Sequence, residues 1–291
     1  MNITADQVQK LREKTGLGMM LCKKALIEAE GDMEKAIENL RKQGQATLDK
    51  RAGKTAKEGC ITVVSEGPVT IMYEVNSETD FVARNEDFVA FVKHLGAILL
   101  SAKPKTIDEA RAIRSDLLGG TTIEGRILEL TAKIGEIITF RRFHIETVSP
   151  ATERVFTYVH NSKIGVLVKL VSSGAALSGE AVSSLGKDIA MQIAASDPMA
   201  VSRDNIAAEV VSKEKEIYAT QAQSSGKPEK VWDKIVEGKL ARFYKDVTLL
   251  EQEFIRDTAL SVTDRIKLAE KETGTPVTVA SFVRFQLGVE A

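Results

Sequence analysis

Apolar positions change their spacing at several points along the chain, and each change marks a new element. Val8 and Leu11 fall on one face of a first helix that Thr4 can cap, with Gln7 at the capping-box position. Gly16 and Gly18 interrupt this pattern. A second helix is expected from about Met19 through Ala25 and Leu26 to a stop at Gly31, and a third from Asp32, with Met33, Ala36, Ile37 and Leu40 on its apolar side. Helices this short must pack on one another, so residues 1–45 read as a small helical domain. From Arg41 to Gly59 the composition shifts to Lys, Gly, Ala and Thr without apolar periodicity, which gives a basic linker at 46–59 or an exposed helix.

Beyond the linker the period becomes two. Val69, Ile71, Tyr73 and Val75 mark a half-buried strand, and Ile61 to Val64 supplies its hairpin partner around Glu66, Gly67 and Pro68. The spacing Phe81, Phe88, Phe91, Val92, Leu95 is helical, so a helix is expected from Phe81 to the break at Ser101-Ala102-Lys103-Pro104, with a polar turn from Asn76 to Asp80 before it. Two readings of that turn stand side by side. Ser77, Thr79 or Asp80 can cap the helix, the acid also suiting its positive end; or Phe81, an aromatic at an exposed turn, is there to meet a partner.

The same order of elements recurs. Val155 to Val159 and Ile164 to Val171 pair around Asn161 and Ser162, and a helix ends near Ala195-Ser196-Asp197-Pro198. Aligning Pro104 with Pro198 sets Leu95 over Ile189 and Phe91 over Leu185, whereas Asp80 falls over Gly174 and Phe81 over Ala175. A structural cap is needed in both copies of a repeat; a partner contact is needed in one. Further on, Ile206, Val210 and Ile217 form one stripe and Trp232, Ile235, Val236, Leu240, Phe243 and Val247 another, separated by Ser224-Ser225-Gly226-Lys227-Pro228, which predicts an antiparallel helical hairpin over about 205–248. Val277, Val279, Ser281, Val283, Phe285 and Leu287 alternate in a closing strand that ends at Gly288. The repeat divides the chain beyond the linker into 60–148 and 149–291.

Composition narrows the function. The 291 residues suggest two or three domains, and 40 lysines and arginines against 41 acids leave no global charge to draw nucleic acid or a membrane. The basic stretch after Arg41 lacks interleaved aromatics, so no nucleic-acid partner is expected. No apolar run approaches the ~20 residues that span a bilayer. Two cysteines, Cys22 and Cys60, with no signal-peptide pattern, read as free thiols in a reducing cytoplasm. His94, His144 and His160 are too scattered for a local metal cluster, and HExxH, paired CxxC and GxSxG are absent. Neither Gly53-Lys54-Thr55 nor Gly186-Lys187 meets the phosphate-loop pattern, and there is no GxGxxG. No metal, cofactor, bound nucleotide or covalent chemistry is expected. His160, at the second hairpin turn, reads on its own as a polar turn residue.

LREKTGLGMMLCKKAL and EVNSETDFVARN resemble elongation factor Ts, the nucleotide exchange factor of the GTPase elongation factor Tu, and the resemblance runs from Ile3 to Gly288. LGMMLCKKALIEAEGDMEKAIENL also resembles a ubiquitin-associated domain, and SGKPEKVWDKIVEGKLARFYKDVTLLEQ is similar to the helical pair that projects from the core in the family. The resemblance implies an α+β fold, with a ubiquitin-associated-like helical domain, a two-part core of antiparallel sheets with packed helices and a protruding helical hairpin. It also implies a partner, elongation factor Tu in its GDP-bound and nucleotide-free forms. It places Thr79, Asp80, Phe81 and Val82 beside the partner's magnesium site, with Asp80 fixing the direction of a Phe81 wedge. It also puts Arg12, Met19 and Met20 on the partner's G domain, and makes contacts of Ile134 and Gly135, in AKIGE, and of His160. Longer members continue into a C-terminal helix that also touches the GTPase; this sequence stops three residues after Gly288, and the resemblance leaves that contact open. The alternative is an adaptor binding another protein or RNA through its ubiquitin-associated-like domain and basic linker, which leaves the TDFV turn idle. An enzyme is a third reading, without a motif.

Overall fold

The computed structural model describes residues 3–15, 17–50, 56–174 and 177–289, and of 45–50 only the backbone; Gly16, Arg51, Lys54 and Ala175 lie outside the described residues. The elements run α1 (Ala5–Thr15), α2 (Met19–Glu28), α3 (Met33–Lys50), β1 (Glu58–Glu66), β2 (Val69–Ser77), α4 (Asp80–Ala83), α5 (Glu86–Ala102), α6 (Ile107–Ala112), β3 (Arg114–Ser115), β4 (Thr121–Thr122), α7 (Ile123–Ile134) and β5 (Ile138–Thr147). There follow β6 (Glu153–His160), β7 (Ile164–Ser172), α8 (Glu180–Ser196), α9 (Ala208–Gln223), α10 (Trp232–Val247), β8 (Glu253–Phe254), β9 (Asp257–Ser261), α11 (Val262–Thr273) and β10 (Val277–Gln286). Two compact units emerge: Met1–Thr147 with Val159–Gly165 and Phe285–Ala291, and Val148–Tyr158 with Val166–Arg284.

In the first unit, α1 to α3 enclose a core of Val8, Leu11, Leu17, Cys22, Ala25, Leu26, Ala36 and Leu40. Their ends are set by the residues the sequence nominates. The Thr4 N–H donates to Gln7 Oε1 at 3.0 Å and the Gln7 N–H donates to Thr4 Oγ1 at 3.3 Å, a reciprocal capping box. Asp32 Oδ1 accepts from the N–H groups of Glu34 and Lys35 at 2.9 and 3.1 Å. The third helix does not give way to a linker at residue 46 but continues to Lys50. The helix packs along α7. Gly44 lets the α3 backbone approach the Leu128 carbonyl more closely than any side chain permits. Arg41 donates to Thr121 Oγ1 at 2.6 Å and lies 3.6 Å from Glu129, and Arg126 donates to the Thr15 carbonyl at 3.3 Å.

The sheet of this unit has the order β1-β2-β5, antiparallel throughout, with Glu66 opposite Val69 across the expected Gly67-Pro68 turn and Ser77 paired with both Glu58 and Ile138 at the other end. Ile71, Tyr73 and Val75 join Phe88, Phe91, Leu95 and Leu99 of α5 in the main core. The strand is not half-buried as its alternation predicts: Thr70, Met72, Glu74 and Asn76, on its other face, are buried too. Polar residues can be buried there because they are partnered. Glu74 accepts from Arg142 Nε at 2.7 Å, from Asn76 Nδ2 at 2.9 Å and from the Gly288 N–H at 2.9 Å.

The second unit is built on the sheet β10-β7-β6, and the repeat is more complete here than the sequence reveals. Helices α5 and α8 both have 17 residues. Helices α7 and α11 both have 12 and both end on a left-handed glycine, Gly135 and Gly274, before the 10-residue strands β5 and β10. Between α8 and β8 the second copy carries α9 and α10, which contact each other. Ala222 and Val236 are buried in this pair, but Ile217, placed on the apolar stripe by periodicity, is 40% exposed.

Candidate functional site

The segment after β2 is not the start of one long helix. Phe81 sits on the single-turn helix α4, the chain breaks at Arg84 and Asn85, and α5 begins afresh with Asn85 Oδ1 accepting from the Asp87 N–H at 3.0 Å. The spacing of seven between Phe81 and Phe88 preserves helical phase across the break and hides it. Within α4 the two apolar residues part company: Val82 is buried in the main core, whereas Phe81 is 80% exposed.

Capping does not account for the polar residues of this turn. Thr79 occupies the N-cap position of α4 without making a side-chain cap bond. Its hydroxyl instead donates to Glu136, 3.0 Å from Oε1, and its N–H donates to Glu136 Oε2 at 3.1 Å. Ser77 Oγ donates to the Thr79 carbonyl at 2.8 Å. Asp80 neither caps nor fixes the turn; its carboxylate lies 3.3 Å from Arg84, with both side chains well exposed, a geometry worth little in water. In return, Glu78 Oε1 accepts from the Ile137 N–H at 2.9 Å. The turn is therefore fastened to the segment that follows α7.

That fastening brings Ile134 and Gly135 to the same place as Thr79 to Val82. Ile134 packs against the main core, and Gly135, at φ 81°, ends α7 with its N–H on the Thr131 carbonyl at 2.8 Å. A glycine takes this left-handed conformation without strain, and the reversal delivers Glu136 to Thr79. The remaining candidates sit on other elements of the unit. Met19 and Met20 are 54% and 77% exposed at the start of α2, and Arg12 is exposed on α1. His160 is exposed at the β6-β7 turn, with its Nε2 3.3 Å from Asn161 Nδ2. This turn is seated on the start of β1: Ser162 O accepts from the Ile61 N–H at 2.8 Å, and Lys163 Nζ lies 3.2 Å from Glu58.

Glu78 and Glu136 are the residues that sequence reasoning missed. The one signal for Glu136 is its place directly after a helix-ending glycine; its partner is 57 residues away in sequence. In the second copy, Gly174 stands at φ 130° in place of Asp80, and no α4 counterpart occurs among the described residues before α8. Among the described residues, no group of His, Cys, Asp or Glu is placed to hold a metal ion, and no helix is long and apolar enough to cross a membrane.

Fold and site together define a duplicated α+β core, with a three-helix unit packed on one copy and an exposed aromatic on a fastened turn of that same copy. The family described as Elongation factor TS matches residues 78–289. The elongation factor Ts of Methylococcus capsulatus is 44% identical over 290 residues, covering 99% of this chain and 93% of the relative. That of Syntrophotalea carbinolica is 43% identical over 289 residues, with 99% and 94% covered, and that of Bartonella henselae 42% over 296 residues, with 99% and 94% covered. The chain belongs to the elongation factor Ts family, whose members are translation elongation factors.

Proposed function

We propose that this protein is the guanine nucleotide exchange factor of elongation factor Tu, working in the cytoplasm by surface contact and without covalent chemistry of its own. The observation that carries the reading is Phe81, an aromatic left 80% exposed on a turn whose backbone is held on both sides. Such a side chain adds nothing to the core, and its rigid mounting suits insertion into a partner. Val82, buried beneath it, anchors the turn while Phe81 points away.

In a GTPase the magnesium ion bridges phosphate oxygens and is the largest local charge. Phe81, entering beside that site with Asp80, displaces the groups that hold the ion and so loosens the phosphates without touching the nucleotide. Arg12, Met19 and Met20 dock the G domain, and Ile134, Gly135 and His160 add contacts. By linkage, the factor by which this protein weakens GDP binding is the factor by which GDP weakens its own binding. The cycle therefore runs from the GDP-bound partner through a nucleotide-free complex to the GTP-bound partner.

The test is stopped-flow release of a fluorescent GDP analogue from elongation factor Tu with and without the protein. A large acceleration is expected; an unchanged rate at saturating protein rejects the reading. The magnesium lever is checked by repeating the comparison in chelator. Stripping the ion already loosens the phosphates, so the accelerating ratio should shrink, two perturbations of one contact giving less than their sum. An unchanged ratio assigns the effect to another part of the nucleotide site.

A further inference from the structure

We infer that Glu136 is a positioning residue for exchange: it holds Thr79 by two hydrogen bonds and thereby sets the direction in which Phe81 projects. The inference rests on the exchange reading above. A single helical turn has almost no stability of its own, and α4 has four residues and no side-chain cap. In a capping box the N-cap N–H is satisfied by a glutamate three residues on. Residue 82, which stands at that position, is Val82, and it is committed to the core. The carboxylate is supplied from across the fold instead, Glu136 taking the Thr79 N–H at 3.1 Å and its hydroxyl at 3.0 Å.

Closing the sheet does not explain this carboxylate. The β2-β5 ladder ends with Ser77 opposite Ile138, and the bond from the Ile137 N–H to Glu78 already continues that junction. The bonds of Glu136 act one step further out, on the residue that starts α4. The half of the turn facing β2 is held by Ser77 Oγ on the Thr79 carbonyl at 2.8 Å. Without Glu136, Thr79 keeps that single tether, and the entry into Asp80 and Phe81 is restrained only from the far side, by Val82 in the core and by the Arg84 and Asn85 N–H groups on the Phe81 and Val82 carbonyls. The aromatic would still be exposed, but its direction would be less narrowly set. Displacement by approximately 1 Å of a group that must meet a reacting centre costs up to about a hundredfold in rate.

The experiment is GDP-analogue release from elongation factor Tu, measured against the concentration of the full chain, with melting temperatures recorded for each variant. Glu136→Ala should lower the maximal release rate by about tenfold, within the range that misplacement brings, and should shift the half-saturating concentration much less, because the other contacts are intact. Thr79→Val should show the same pattern, and the double variant should be no slower than the worse single one. Glu136→Gln keeps an oxygen for the N–H and an amide that can donate to the hydroxyl, so it should fall between wild type and Glu136→Ala. A normal maximal rate in Glu136→Ala, or losses that multiply in the double variant, overturns the proposal while leaving the exchange reading standing. No acceleration by the wild-type chain overturns both. Should Glu136→Ala melt well below wild type, Thr79→Val decides alone: a lowered maximal rate supports the proposal and a normal one overturns it.

Discussion

Lys103 and Asp197 adopt the same left-handed conformation, φ 48° and ψ 55° in one, φ 46° and ψ 56° in the other, each ending a 17-residue helix just before a proline. Glycine fits this backbone better than any residue with a side chain, yet neither copy uses it. For Asp197 the side chain offers a compensation, an ion pair at 3.1 Å to the largely buried Arg284. Among the bonds described, Lys103 has only its backbone N–H on Leu99. Lys103→Gly should therefore stabilise the protein by about 0.5–1 kcal/mol, whereas Asp197→Gly should give no gain. Denaturant unfolding of the two variants checks the contrast.

Phe81→Ala should leave the melting temperature within the scatter of surface substitutions, about 0.5 kcal/mol, because 80% of the side chain is already in water. GDP release should lose most of its stimulation. A fall in stability of about 3 to 5 kcal/mol, as for a core phenylalanine, would show that the ring is packing and not a wedge.

Met20→Ala separates docking from displacement. The side chain is 77% exposed, so stability should hold, while the concentration of protein needed for half-maximal release should rise with the maximal rate preserved. Point substitution is a cleaner probe than removing residues 1–45, because that cut severs α3 in the stretch that packs on α7.

Glu74→Ala strikes the other face of β2. The carboxylate is fully buried and paired with Arg142 at 2.7 Å, and it also receives the Gly288 N–H. Removing one partner of a buried pair leaves the other uncompensated, which costs about 3–5 kcal/mol. The loss should appear in thermal unfolding as a large drop in melting temperature.

Glu129 gives a pH dependence with a defined sign. Burial pushes its carboxyl above the ordinary value of 4.5, and Arg126 and Arg41 pull it back only in part. The folded state thus holds the proton more tightly than the unfolded one. The contribution of this group to stability is fullest below about 4.5 and declines as pH rises through the folded value. Glu129→Gln should flatten that part of the stability profile, measured by urea unfolding across a pH series.

What could be read from the sequence was local. The Gly67-Pro68 hairpin, the Thr4 and Asp32 caps and the breaks at Pro104 and Pro198 each depend on residues a few positions apart, and all appear in the structure. Phe81 was legible because an aromatic among polar turn residues needs a reason. The burial of Glu74 was not, since its partners are Arg142 and Gly288, far along the chain. The match of α7 and β5 to α11 and β10 is not legible in the sequence because the second copy is interrupted by α9 and α10, which shifts the register between its halves. The Thr79 to Glu136 bonds are hidden for a related reason: hydrogen bonding across 57 residues leaves no periodic trace.

Helix α7 connects the three-helix unit to the Phe81 turn. Along its length it carries α3, and just past its C-terminus Glu136 holds the Phe81 turn. With 12 residues it is about 18 Å long at a rise of ~1.5 Å per residue. On the exchange reading, this makes it a gauge. Two weak contacts on one stiff frame reinforce each other through high effective concentration only if their separation matches the target's. A single residue inserted in α7 would lengthen the frame by ~1.5 Å and turn its end by about 100°, and avidity would collapse with every contacting side chain still in place.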